Sequence, residues 1–249
     1  LLSLVLISAT PISVLAGPIE DGTAAMERRD YAVAQKIFQP LAEEGDAQAQ
    51  KAIGRMLLNG AGVEKNPATA LGWFLKAAEQ NDAEAQLIVG NMYESGLGVP
   101  VDLAEATKWY LKSANNGFST AENNIGLAFE HGRGVRKDPS EALRWYRRAA
   151  KQGDAWGQYN VGRLYYFGVG VAKDYAEAKR WLAMAAEQGF ASAQARLGDI
   201  YNFGFGVATD YANAMRWYRK AGDQGDAYAQ YSLGLLYNYG AGTPKDLAE

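Results

Sequence analysis

The stretch from Asp154 to Gly189 reads DAWGQYNVGRLYYFGVGVAKDYAEAKRWLAMAAEQG, and closely similar stretches stand thirty-six residues before and after it. A fixed period of this length indicates a solenoid, in which each unit buries its apolar face only against its neighbours. The residues that recur in every copy are therefore interpreted as architecture. The residues that differ between copies are the candidates for recognition.

The repeat predicts a helix, a Gly-x-Gly turn and a second helix in each unit, because glycine there permits the left-handed residue that ends a helix. Before the repeats, residues 17–45 are predicted to form a linker (17–22), a short helix (23–29) and a second helix (30–44) that caps the array. The full units are 46–81, 82–117, 118–153, 154–189 and 190–225, and a last unit, 226–249, stops before its second helix.

The composition excludes several classes of function. The chain has 249 residues, a formal charge of −3, no cysteine and one histidine. This charge argues against a generally nucleic-acid-binding surface. Without cysteine there is no disulfide, thiolate nucleophile or cysteine-ligated metal, and the sequence carries no P-loop, G-x-G-x-x-G or H-E-x-x-H motif. We therefore predict a non-catalytic protein with no cofactor and no metal site.

Residues 1–16 are apolar and uncharged. The segment is shorter than the roughly 20 residues of a membrane span, and it fits the core of a secretory signal, with Val14 and Ala16 before a cleavage at Gly17. The basic front of such a signal is missing, so the sequence is expected to begin inside it. The alternative is a buried or interfacial helix. With a signal, the protein is exported to the periplasm or secreted and keeps no membrane span after cleavage.

Two recurring residue types are assigned to the helix packing. Glycine in a helix interior costs about 1 kcal/mol relative to alanine, so its recurrence in the first helix predicts a close approach that a methyl group would block. Tryptophan in the second helix is expected to be the large counterpart, and we assign it to the core although such a ladder could also stack on sugars. The glycines are Gly54, Gly90, Gly126, Gly162, Gly198 and Gly234, and the tryptophans are Trp73, Trp109, Trp145, Trp181 and Trp217.

Carboxylates also recur where the second helix begins. Asp102, Asp138 and Asp174 are each followed three residues later by a glutamate. A metal or acid/base set is one interpretation of such pairs. A capping box explains both the residue types and their spacing, because aspartate accepts the free backbone N–H groups of a helix start.

The recurring residues resemble the Sel1-like repeat family, whose pattern includes A-x-A-Q, L-G-x-x-Y, G-x-G-V, D-x-x-x-A, W-Y-x-K-A-A and Q-G. The resemblance covers about 46–249 and implies an all-α, right-handed αα-superhelix related to tetratricopeptide repeats. It also implies an adaptor or scaffold in signalling, envelope assembly or protein quality control. A cysteine-rich branch is linked to β-lactams, and the absence of cysteine argues against it here. The matching residues in one unit are Ala191, Ala193, Gln194, Leu197, Gly198, Tyr201, Gly204, Gly206, Val207, Asp210, Ala214, Trp217, Tyr218, Lys220, Ala221, Gln224 and Gly225.

The residues that vary between units fall at first-helix positions spaced by three, four and seven, which places them on one helical face. In such superhelices the first helices usually line the concave side. Aromatic residues and arginine dominate binding energy in protein interfaces, so we predict a partner protein or peptide on this face. The alternatives are a glycan-binding or polysaccharide-assembly scaffold, and aromatic residues that only fill joints between units. The candidate residues are Trp156, Tyr159, Arg163, Tyr166, Phe167, Phe203, Tyr228, Tyr231, Leu235 and Tyr239.

Overall fold

A computed structural model describes residues 17–242, so the predicted signal at 1–16 and the final residues 243–249 lie outside the described part. Over the described residues the chain forms thirteen α-helices and no strand. They are α1 (Pro18–Glu27), α2 (Tyr31–Glu44), α3 (Ala47–Asn59), α4 (Pro67–Glu79), α5 (Ala83–Ser95), α6 (Leu103–Asn115), α7 (Ser119–His131), α8 (Pro139–Lys151), α9 (Ala155–Phe167), α10 (Tyr175–Glu187), α11 (Ala191–Phe203), α12 (Tyr211–Gly222) and α13 (Ala227–Tyr239).

The helices belong to two compact units, which divide between Gln80 and Asn81. In the first unit α1 to α4 pack in chain order, each helix against the next. In the second unit α5 to α13 pack in the same consecutive manner. The helix pairs predicted from the 36-residue period are therefore confirmed. No helix in the described part of the chain combines the length and the apolar character that crossing a bilayer requires.

The N-terminal helix differs from the prediction. It begins at Pro18 rather than at residue 23, because proline is favoured at the first helical position and Gly17 precedes it as the cap. The linker predicted at 17–22 is thus mostly helix. Gly22 lies against Phe38, where an added Cβ would come within 2.6 Å of the ring. This glycine stands four residues out of the 36-residue register, which is why the repeat pattern did not reveal it.

The close approach predicted at the mid-helix glycines is confirmed at five of the six and is absent at Gly234, and its partner is different from the one predicted. A Cβ added to Gly126 would lie 2.5 Å from the ring of Tyr146, and one added to Gly198 would lie 2.5 Å from Tyr218. Each partner is the residue that follows the recurring tryptophan. The tryptophan is therefore not the counterpart of the glycine, and the ring one position later fills the space.

The four recurring tryptophans of the second unit are buried beside that contact. Trp109 and Trp217 are each 6% exposed, and a lysine ammonium covers each ring, with Lys112 at 3.6 Å and Lys220 at 4.4 Å from the ring centroids. Such cation–π contacts stabilise partly desolvated rings. Because the ring faces are buried or covered by lysine, this ladder belongs to the core and is not a sugar-stacking surface.

Glycine adopts the left-handed conformation twice in the turn that follows the first helix of each 36-residue repeat. Gly132 ends α7 in the left-handed conformation, with φ of 74°. Two residues later Gly134 lies on the start of α6, where a Cβ would come within 2.0 Å of the carbonyl oxygen of Leu103. No side chain fits there. The Gly-x-Gly motif therefore ends one helix and also allows the turn to contact the preceding repeat.

Of the predicted capping box, the aspartate cap is present and the reciprocal glutamate bond is not. Asp102 accepts the backbone N–H of Glu105 at 2.9 Å, as a helix cap does. The glutamate does not reach back, since it binds Lys108 at 2.8 Å, and the Asp102 N–H donates to the carbonyl of Tyr93 instead. These carboxylates are therefore structural. The described residues contain no group of three acidic, histidine or cysteine side chains placed to hold a metal.

A side-chain amide pair links the two helices within each repeat. The Gln224 amide donates to Gln194 at 2.8 Å, and Gln188 donates to Gln158 in the same way. Glu122 replaces glutamine at one of these positions and accepts from Gln152 at 2.7 Å. Burial raises the pKa of Glu122 above its ordinary value, although Arg148 lies 3.0 Å away and opposes the shift. This repeat therefore carries a buried carboxylic acid at the position where the other repeats carry a side-chain amide.

Two glycines at the same repeat position should respond oppositely to alanine. Gly198→Ala should lower the free energy of unfolding by about 1–3 kcal/mol, because the new methyl group overlaps the ring of Tyr218. Gly234→Ala should raise it by up to about 1 kcal/mol, because a Cβ there meets nothing within 4 Å and alanine favours the helix. Urea unfolding of the two variants measures both values. Equal effects at the two positions would contradict the packing described here.

Glu122→Gln should remove one contribution to the pH dependence of the free energy of unfolding. The folded pKa of Glu122 lies above the unfolded value, so the folded state binds more protons between those two values and stability falls as the pH rises through them. Glutamine carries no such proton. The variant should therefore gain stability relative to the native chain between roughly pH 4, near the ordinary glutamate pKa, and pH 7. Urea titrations at both pH values measure this, and a constant difference would contradict it.

Candidate functional site

The predicted surface residues fall into three classes of exposure. Six aromatic side chains are between 44% and 74% exposed, namely Trp156, Phe167, Phe203, Tyr228, Tyr231 and Tyr239. Tyr159, Arg163 and Leu235 are partly buried. Tyr166 is 9% exposed and lies in the core of the second unit. All ten belong to α9, α11 and α13, the first helices of their repeats.

An aromatic cluster joins α9 to the start of α11. Phe190 packs edge-on against Trp156, with ring centroids 4.5 Å apart, and against Tyr159 at 4.9 Å. Phe190 occupies the cap position of α11, where most other units carry aspartate, and it makes no side-chain cap. Its ring therefore serves packing and holds Trp156 in place while leaving that indole 59% exposed.

A buried carboxylate organises the surface between α11 and α13. Asp199 is 1% exposed and accepts hydrogen bonds from Tyr218 at 2.8 Å and from Tyr228 at 2.7 Å. Its second oxygen accepts from Arg196 at 2.9 Å. Burial raises the pKa of the Tyr228 hydroxyl, and the hydrogen bond to Asp199 raises it further. Tyr228 is therefore a neutral donor with a fixed orientation.

Arg196 lies among aromatic rings and was not predicted from the sequence. Its guanidinium carbon is 5.4 Å from the ring centroid of Tyr228 and 5.5 Å from that of Phe167. Such contacts are typical of cation–π attraction. Its repeat counterparts include Ala52 and Asn160, so the position varies between units as the predicted ones do. That variation is the signal by which the sequence could have identified it.

A second buried carboxylate organises α9 in the same way. Glu130 accepts from Tyr146 at 2.8 Å and from Arg163 at 2.6 Å. Burial acts to raise the pKa of Glu130, but the hydrogen bonds from Arg163 and Tyr146 outweigh it, and the pKa lies below its ordinary value. Glu130 is therefore ionised and paired. Arg163 is held by this acid, with a partly exposed guanidinium on the first-helix face.

Tyr166 supports the surface rather than forming it, which corrects its assignment as a contact residue. Its ring packs edge-on against Phe167 at 4.9 Å, Tyr175 at 5.6 Å and Phe205 at 5.8 Å. Tyr175 and Phe205 close over it from the start of α10 and from the turn after α11. Reading helix faces from spacing alone cannot detect such cover, because it comes from another element.

An open groove of about 480 Å³ lies between α11 and α13. It brings together five of the predicted residues: Phe203, Tyr228, Tyr231, Leu235 and Tyr239. Five further wall residues were not predicted: Asn202, Tyr211, Ser232, Leu236 and Ala241. Trp156 and Tyr159 do not line it. The predicted residues therefore divide mainly between two adjacent parts of the surface. The first is the aromatic cluster of Trp156, Tyr159 and Phe190, which we call the Trp156 cluster. The second is this groove, which we call the α11–α13 groove.

The arrangement suits binding better than catalysis. The acids in this region, Glu130 and Asp199, are buried and already accept hydrogen bonds from tyrosine and arginine. The exposed groups are rings, hydroxyls and parts of two guanidinium groups. Such groups supply contact area and orientation.

The comparisons with known proteins agree with the repeat geometry. A family model described as Sel1 repeat matches residues 47–82, 83–118, 119–154, 157–190, 191–226 and 227–249. The chain is 36% identical to c5321, a protective antigen present in uropathogenic Escherichia coli strains, with a TM-score of 0.88 over 92% of the chain and 50% of that protein. It is 35% identical to a Sel1 repeat protein from Oxalobacter formigenes, with a TM-score of 0.82 over 94% of the chain and 93% of that protein. No curated protein matches the chain. The chain thus spans half the length of c5321 and nearly the whole of the Oxalobacter protein.

Asp199→Asn should destabilise the region between α11 and α13. Asparagine keeps the shape of the side chain but loses the charge that accepts from Tyr218, Tyr228 and Arg196. We expect the free energy of unfolding to fall by about 1–3 kcal/mol, as for a buried hydrogen bond to a charged group. Urea unfolding measures this, with Asp223→Asn at an exposed position as the control. A loss below about 0.5 kcal/mol, the range of ordinary surface changes, would show that Asp199 does not organise this region.

Proposed function

The chain belongs to the Sel1 repeat family, and on that premise we propose that it is a non-catalytic scaffold of the bacterial envelope that binds a partner protein or peptide. Proteins of this family are generally protein-interaction scaffolds. The proposed contact surface comprises the Trp156 cluster and the α11–α13 groove. Both lie on first helices of the second compact unit.

The uneven distribution of exposed rings carries the proposal. Among the described residues, seven aromatic side chains are large, apolar and exposed, and all of them lie between residues 156 and 239. The repeats before residue 154 have the same architecture without them. Exposed apolar patches of this kind mark interaction sites in soluble proteins, so the contrast between equivalent repeats favours recognition over general packing.

The surface is also ordered in advance. Phe190 fixes Trp156, Asp199 fixes Tyr228, and Glu130 fixes Arg163. Side chains that are already held lose little conformational freedom when a partner binds. Tryptophan, tyrosine and arginine are the residue types that dominate interface energies. Pre-ordered residues of these types support a specific interface.

A different part of the chain supports the proposed location. The uncharged apolar segment at 1–16 supports export. A location outside the cytoplasm agrees with the description of the similar protein c5321 as a protective antigen. We therefore place the proposed partner in the periplasm or at the cell surface.

Photo-crosslinking in the native host tests this function. A photoreactive residue at position 238, next to the exposed Tyr239, should capture one predominant protein in cells that express the full chain. Trp156→Ala and Tyr231→Ala should each weaken binding of that purified protein at least about tenfold, the effect of losing an interface anchor. Trp156→Ala should lower stability by no more than about 1.5 kcal/mol, the value of its ring pair with Phe190.

Met184→Ala is the matched control for this experiment. Met184 is a large apolar residue, 40% exposed on the second helix α10, and its loss should leave binding unchanged. Equal weakening by all three variants would place the interface elsewhere. Capture of a glycan with no captured protein would instead favour a polysaccharide-assembly scaffold.

A further inference from the structure

We propose that the α11–α13 groove receives an aromatic side chain carried on a non-helical segment of the partner protein. This inference rests on the proposed function and specifies what one part of its surface binds. It is carried by a comparison of this groove with the same place one repeat earlier in the chain.

In the preceding repeat the protein fills the equivalent space with its own rings. Phe205 stacks on Tyr175 with ring centroids 4.7 Å apart and planes within 8° of parallel. Tyr166 packs edge-on against both of these rings. Phe205 stands between two glycines in the turn, so the ring enters from a turn and not from a helix. The chain thus shows one arrangement that fits this place.

The next repeat keeps the platform but loses the rings that cover it. Tyr211 stands thirty-six residues after Tyr175 and lines the α11–α13 groove. Ala241 takes the place of Phe205, and Asn202 takes the place of Tyr166. Two large-to-small changes therefore leave Tyr211 41% exposed and open the groove of about 480 Å³. The missing volume corresponds to aromatic rings.

The lining selects the chemistry of the occupant. Among the residues that the structure describes, no charged side chain lines the groove, whose polar groups are Asn202, Ser232 and tyrosine hydroxyls. A charged side chain would lose its hydration there without a counter-ion, and a sugar ring would bury hydroxyls with few partners, both of which cost free energy. A neutral ring stacks on Tyr211 without such a penalty.

The proposed occupant belongs to another protein. Residues 1–16 and 243–249 contain no aromatic residue, so neither segment supplies the ring. A second copy of the chain is disfavoured because its most exposed rings, such as Tyr231 and Tyr239, are carried on a helix. The internal example instead enters on a glycine-flanked turn. A flexible segment of a partner protein meets both conditions.

The probe is a peptide copied from the internal example, N-acetyl-Phe-Gly-Phe-Gly-Val-Ala-amide, which has the sequence of residues 203–208. Added to the full chain, it should bind saturably at millimolar concentration and shift the NMR signals of Tyr211 and Ala241. The same peptide with alanine in place of its second phenylalanine, the counterpart of Phe205, should bind at least about tenfold more weakly. No saturable binding of the first peptide, or equal binding of both, would overturn the proposal.

Variants that close the groove provide the decisive comparison. Ala241→Phe and Asn202→Tyr restore the residues of the preceding repeat, and each should weaken peptide binding at least about tenfold without lowering the unfolding temperature. Asn202→Tyr keeps the test valid if Ala241→Phe fails to fold. Ala61→Phe makes the same change at the same repeat position in the first unit and should leave peptide binding unchanged. Unaltered binding by both closing variants, or self-association of the native chain that both variants abolish, would overturn the proposal.

Binding of the purified partner to these variants distinguishes a failure of this inference from a failure of the proposed function. If Trp156→Ala loses the partner while Ala241→Phe and Asn202→Tyr keep it, the surface is functional and the groove inference is wrong. If none of these variants changes partner binding, the proposed function itself is wrong. Loss of the partner in all three supports both.

Discussion

The structure depends on the contact between a glycine in each first helix before α13 and a ring or leucine in the helix that follows it. Gly126 and Gly198 allow Tyr146 and Tyr218 to lie where a methyl group would stand. Each contact places the hydroxyl of its tyrosine beside an acid, with Glu130 accepting from Tyr146 and Asp199 accepting from Tyr218. The packing interaction therefore also positions the carboxylates that organise the surface.

These carboxylates connect the core to the exposed face. A buried acid that binds only one donor would be poorly compensated, and each acid here accepts from groups on both sides. Asp199 accepts from Tyr218 in the core and from Tyr228 and Arg196 nearer to solvent. The orientation of the outer side chains is thus determined by the interior. In the repeat between the two acids, Leu182 stands in place of the tyrosine and Tyr166 in place of the glutamate, so the polar pair is replaced by an apolar one.

Residues whose role is local to one repeat could be predicted from the sequence, and those whose surroundings come from another repeat could not. The helix pairs, the turn glycines and the aspartate caps follow from spacing and propensity. The partner of Gly198 was misassigned to Trp217 because adjacent residues differ by about 100° around a helix, and the sequence does not tell which of them faces inward. Tyr166 was expected at the surface, and Phe205, thirty-nine residues later, helps to bury it. The α11–α13 groove depends on two residues being small, which only a comparison between repeats at known positions can show.

The central claim is that recurring positions build the scaffold and that the residues that depart from the pattern, from 156 to 241, make the contact. Hydrogen–deuterium exchange of the full chain, with and without its purified partner, tests this claim most directly. The account predicts that the partner increases protection in α9, α11, α13 and the turns after α11 and α13, with little change in α6, α8 and α10. Protection concentrated in those second helices, with none in α9, α11 and α13, would contradict it.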